Sequence, residues 1–104
     1  MADDVDDAWV ALREGLEARS RALHDELRTY PTPIARCDEQ LTRVIEERDA
    51  AFRRLRFATD LEANRAAISR GEWLVRLQQF AASLETENEQ VDAARARLVA
   101  AMAR

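Results

Sequence analysis

Apolar residues recur at helical spacing along almost the whole chain, and nowhere do they alternate with polar ones long enough for a strand. Trp9, Leu12, Leu16, Leu23, Leu27 and Tyr30 follow at intervals of three, four or seven, one face of a helix from about Asp4 to Thr29. Asp3, Asp4, Asp6 and Asp7 crowd its first turn, where the macrodipole favours anions. Gly15 weakens its middle by about 1 kcal/mol relative to Ala. Tyr30-Pro31-Thr32-Pro33 holds both prolines and ends this helix. A proline inside a helix costs about 3 kcal/mol, but at the first helical position its missing N–H does no harm. Thr32 therefore reads as an N-cap and Pro33 as the start of a second helix.

The second helix is predicted over 33–69. Ile34, Cys37, Leu41, Val44, Ile45, Phe52, Leu55 and Ala58 build its stripe, which thins toward Leu61 and Ile68. Ser69-Arg70-Gly71-Glu72 reads as a capping box that opens a third helix over 70–103. There Leu77, Leu84, Val91 and Leu98 repeat every seven residues, with Asn88 in the companion row as a register device. A single helix running on from Pro33 is the rival pattern, if Gly71 does not turn the chain. The expected fold is all-α, one domain over 1–104: an elongated antiparallel three-helix bundle, or coiled-coil hairpin, with a shorter N-terminal helix.

At 1.5 Å per residue these helices would span about 39, 55 and 50 Å. The first then covers the second only to about residue 58, and the far end of the hairpin lacks a third helix. Leu61, Ile68, Trp73, Leu74, Leu77 and Phe80 would be left uncovered there, although burying such side chains is worth about 1.5–3 kcal/mol each. The expectation is self-association through this tip, as a homodimer or higher helical oligomer, with another helical protein as a further partner.

Composition narrows the class. A length of 104 residues allows one domain with a real core. Hydrophobic residues at 47% and charged ones at 35% argue against disorder, and no apolar run approaches the ~20 residues of a membrane span. The net charge of −4 disfavours a nucleic-acid binder. All basic residues are arginine; a GC-rich bacterial coding sequence accounts for that, and multidentate contact with carboxylates or phosphates is the functional reading. The N-terminus lacks the basic and apolar regions of a signal peptide, so the expected location is cytoplasmic.

Few residues suggest chemistry. His24, near Asp25, Glu26 and Cys37, has no second His or Cys in the chain to complete a zinc site, so no metal or cofactor is expected. Cys37, one turn into the second helix, reads as a packed thiol, with a reactive thiolate at a helix N-terminus as the alternative. Together, Cys37 and His24 define a redox or metal-sensor alternative. Arg48, Arg53 and Arg54 alternate with Phe52 and Phe57, a mixture able to hold anions. Glu85, Glu87, Glu89 and Asp92 offer them partners on the antiparallel helix instead.

Ile34-Ala-Arg-Cys-Asp-Glu-Gln-Leu41 followed by Ile45-Glu-Glu-Arg48 resembles the first helix of the helical chorismate mutases. The resemblance implies a small all-α dimer holding a dicarboxylate with several cations, Arg48 among them. The chain departs from that family where its upstream arginine falls at Pro31 and its following lysine at Thr59, so the charge clamp is incomplete. A second resemblance, to small secreted helical hairpins with a Trp-x-Gly turn, is reversed in Gly71-Glu72-Trp73. The reading of the residues is a self-associating, non-catalytic helical interaction or scaffolding module. A small anion-binding helical enzyme using Arg48, Arg53 and Arg54 is its alternative.

Overall fold

The computed structural model describes residues 4–29 and 38–103, and its only regular structure there is helical, with no strand among the described residues. Helix α1 runs Asp4–Arg28, α2 Asp38–Ala63, α3 Arg70–Ser83 and α4 Glu89–Met102, with a single 3-10 turn at Arg65–Ala67 between α2 and α3. The molecule measures 53 × 25 × 21 Å. The Pro31–Pro33 turn, Tyr30, Ile34 and Cys37 lie outside the described residues.

Helix α1 is the spine. Trp9, Leu12, Leu16 and Leu23 are buried along it, as their spacing predicts, and Val5 and Ala8 extend the buried face to its first turn. Both α2 and α4 pack against it. Helix α4 runs antiparallel to α1: Gly15 lies against Val91, and Val5 shares a surface cleft with Ala101. A Cβ at Gly15 would meet Val91 Cγ2 at 3.4 Å, so the glycine sits at a close helix–helix approach. Helix α3 leans on the end of this assembly. Its Trp73 and Phe80 meet Trp9 edge-on, with ring centroids 5.7 and 5.9 Å away, and Phe57 of α2 stacks on Phe80 at 5.3 Å. Trp9 Nε1 donates to Glu62 Oε2 at 2.6 Å, which satisfies the one polar atom of the central ring.

Three expectations are corrected. First, α2 ends at Ala63, not residue 69, and the chain turns through Asn64 and the 3-10 segment before Gly71 is reached. Ser69 is the N-cap of α3 as expected, its Oγ accepting from Glu72 N–H at 3.1 Å. The Glu72 carboxylate turns instead to Arg76, at 2.9 Å.

Second, the helix expected over 70–103 is two helices. The break spans Leu84–Asn88, and Asn88 is an N-cap rather than a buried register residue: its Oδ1 accepts from Val91 N–H at 2.9 Å. Asp92 Oδ1 accepts from Glu87 N–H at 2.9 Å, and Arg95 Nε reaches the Ala81 carbonyl at 2.7 Å to close the end of α3. Glu85, Glu87 and Glu89 are poorly placed beyond a helix C-terminus but well placed at the start of the next one. The sevenfold repeat concealed the break because Leu77, Leu84, Val91 and Leu98 are all buried in the same core.

Third, the tip is covered. With α2 stopping at Ala63, α1 and α2 match in length at 25 and 26 residues, and the start of α1 reaches the end of α2. Asp6 bonds Arg65 and, at 3.2 Å, Arg70. Leu61, Trp73, Leu77 and Phe80 are buried within the chain itself, with Ile68 and Leu74 packed half-buried against them. Because α4 is only 14 residues long and α3 stays at the same end, the thin part of the molecule is the opposite one. There the second half of α1 and the first half of α2 form a two-helix hairpin.

Candidate functional site

Two faces of that hairpin differ sharply. On the face shared with α3 and α4, the interhelical linker lays Glu87 across the seam. Its carboxylate accepts from Arg19 Nε at 3.1 Å and from Arg54 Nη1 at 2.5 Å, with the glutamate side chain only 8% exposed. Glu47 adds a longer contact to Arg19 at 3.7 Å. Arg54, one of the three arginines expected to bind an anion, is thus already paired inside the chain, which is the interhelical complementarity read from the acidic cluster. Glu87 holds the linker to both hairpin helices at once.

Among the described residues the other face carries no third helix. At 100° per residue, Phe52 sits about 140° around α2 from Phe57 and about 160° from Arg54, so it points away from α3 and the linker. Phe52 is 59% exposed. Beside it a groove runs along the α1–α2 seam in two lobes of 380 and 480 Å³ that share His24, Arg48 and Phe52. Ser20, Arg21 and Asp25 complete one lobe, Asp49 and Arg53 the other. Among the described residues, Arg48 reaches only its exposed neighbour Asp49, at 3.2 Å. The side chains of Arg21, His24 and Arg53 have no ion pair or hydrogen bond among the described residues. Arg48 and Arg53 are therefore together in a concave, partly aromatic surface, and Arg54 is excluded from it.

A third concavity, of 440 Å³, lies at the expected tip between Glu62 and Trp73. Its cations, Arg65 and Arg70, are turned to Asp6, and the Arg65 guanidinium lies 4.8 Å from the centre of the Trp73 ring. Partial burial pushes the Asp6 carboxyl up, but hydrogen bonds and charge from Arg65 and Arg70 outweigh it and hold Asp6 below the ordinary carboxylate range. This corner is an internal clamp. No group of three or more metal-ligating side chains occurs among the described residues; His24 stands alone there, and Cys37 lies outside them. No helix is long and apolar enough to cross a membrane among the described residues.

The sequence stripe of α2 conceals two stripes. Ala51 and Ala58 are buried and lie seven apart, with the half-buried Val44 one heptad earlier on the same side of α2. Leu41, Ile45, Arg48, Phe52, Leu55 and Thr59 lie at alternating intervals of four and three and form a stripe on its outer side, from Leu55, half-buried against the core, to the exposed Phe52 and Thr59. Taking all of these apolar residues as one face hid the second. The signal was present in that four-three alternation, and Arg48 in its middle disguised it. Comparison with known protein families, curated proteins and solved structures finds no match for this chain.

Proposed function

We propose that this protein is a helical interaction module that works by self-association rather than catalysis. The surface it uses is the bare face of the α1–α2 hairpin, not the tip around Leu77. The supporting observation is the exposure of Phe52 in the middle of a largely apolar stripe that no third helix among the described residues covers. Two packed helices bury one seam and leave each outer face to water, and a second layer is the general remedy. A second copy supplies such a layer with the same face, turning two hairpins into a four-helix arrangement about a twofold axis. The stripe from Leu41 to Thr59 is about 28 Å long and the hairpin about 20 Å wide. That is a footprint of about 560 Å² per copy, toward the low end for specific interfaces, so the dimer should be dissociable.

Sedimentation velocity from 1 to 500 μM tests this. The expected result is a mass that rises from one chain to two, and a rise that is lost in Phe52→Glu while the helical circular dichroism persists. A single-chain mass throughout the range overturns the proposal.

A second reading rests on a different observation: Arg21, His24 and Arg53 face the same groove with no side-chain partner among the described residues. Two arginines and a histidine beside an exposed ring suit a carboxylate or phosphate joined to a flat group. A thermal-shift series with dicarboxylates, nucleotides and inorganic phosphate tests it. Stabilisation lost in Arg53→Ala supports the site, and no shift with any of them removes it.

A further inference from the structure

The outer stripe of α2 contains a charge at its centre, and the position of that charge specifies how two copies meet. This inference rests on the self-association reading above. Leu41, Ile45, Arg48, Phe52, Leu55 and Thr59 follow the four-three alternation of a coiled-coil seam, in which a polar residue at a core position weakens pairing unless it finds a partner. In a parallel pair, identical positions face each other. Arg48 would then meet the partner subunit's Arg48 at the core, two guanidinium groups with no carboxylate between them, and Phe52 would stack only on its own copy.

An antiparallel pair pairs alternate core positions instead. Arg48 and Phe52 are four residues apart, so a twofold axis level with Ala50 sets each Arg48 against the partner subunit's Phe52. The same operation sets Ile45 against the partner subunit's Leu55, and Leu41 against the partner subunit's Thr59. The two polar core positions, Arg48 and Thr59, then each face an aromatic or apolar side chain, and no two polar positions meet. The one charge lies over a ring face, where an arginine is attracted by the quadrupole and keeps its outer edge in water. Asp49, already 3.2 Å from Arg48, remains on the rim beside the same guanidinium.

We infer that the protein forms an antiparallel homodimer through α2, with its twofold axis near Ala50 and Arg48 of each copy stacked on the partner subunit's Phe52. The arrangement explains why an exposed phenylalanine and an arginine with no ion pair to another helix among the described residues lie one turn apart on this face.

The register is read by disulfide trapping. Thr42, Asp49 and Arg56 are exposed and line one flank of the stripe at intervals of seven, so a cysteine at each leaves the core intact. Single-cysteine proteins are made in a Cys37→Ser background whose mass and helicity match the parent. The antiparallel register brings position 49 against itself and position 42 against the partner subunit's position 56. Asp49→Cys should cross-link with itself; Thr42→Cys and Arg56→Cys should not do so singly, but should when mixed. Arg48→Glu should raise the dissociation constant more than tenfold, and Arg48→Lys should leave most of the affinity. Self-cross-linking at all three positions would mean a parallel pair and overturn the register alone. A dimer that cross-links at none of them places the interface elsewhere and overturns it as well. A protein with the mass of one chain at every concentration overturns the self-association reading itself.

Discussion

Leu77→Ala separates the fold described above from one with an uncovered tip. Leu77 is 0% exposed and lies in the cluster built by α1, α2, α3 and α4, among side chains that include Trp9, Trp73 and Phe80. Truncation to Ala removes the transfer free energy of the lost carbons and adds a cavity term, and such changes cost about 2–5 kcal/mol. The neighbouring rings are large and mutually braced by edge-on contacts, so the hole can shrink little and the cost belongs in the upper half, about 3–4 kcal/mol. A domain of this size has about 5–15 kcal/mol in all, and each kcal/mol moves Tm by about 4–8 °C in small domains. The expected outcome is a fall in Tm of about 15–25 °C with a lower urea midpoint and little change in oligomer mass. Val75→Ala, at a position 53% exposed on the same helix, should stay within about 0.5 kcal/mol of the parent. A Leu77→Ala protein of parental Tm and reduced mass would refute the reasoning, because Leu77 would then be an intermolecular contact.

Three further outcomes follow from single contacts. Glu87→Ala should cost about 1.5–3 kcal/mol in urea unfolding, because it leaves Arg19 and Arg54 facing each other without their shared carboxylate; Glu87→Gln should cost less, and 1 M NaCl should narrow the gap between them. Gly71→Ala should raise stability by about 0.5–1 kcal/mol, since a Cβ there meets nothing within 4 Å and the residue is helical; a lower Tm would contradict that. Asp6 contributes through a lowered native pKa, so its contribution is complete above the ordinary value of 3.8 and disappears as pH falls through the lower native value. Asp6→Asn should therefore be less stable than the parent at pH 7, with the difference closing in acid below about pH 4.

Periodicity revealed the helices and most of the core, because burial of one face is what spacing encodes. Trp9, Leu12, Leu16 and Leu98 were each visible as core residues in this way. Helix ends were harder. Asn64 and Asn88 both end or begin helices, yet Asn88 sits inside an unbroken sevenfold repeat and Asn64 in a stripe that only thins, and capping residues announce themselves weakly against such patterns. That error in the end of α2 shifted the uncovered surface from one end of the molecule to the other, since coverage depends on differences between helix lengths. The charge clamp was legible in kind, acidic linker against basic α2, but not in choice of partner. Whether Arg54 or Arg53 meets Glu87 depends on rotation about the α2 axis, which was misjudged when its two stripes were read as one.

The antiparallel seam between α1 and α4 also bears on how the chain reaches this state. Gly15 lies against Val91, so the two ends of the folded chain meet across the core. Helical bundles usually fold fast because their contacts are local, whereas contacts distant in sequence wait on closing a long loop. The α1–α2 hairpin can form early, but Trp9 stays without its Trp73 and Phe80 partners until α3 and α4 arrive. Tryptophan fluorescence should therefore report a later and slower event than the gain of helical signal, with the close approach at Gly15 among the last contacts made.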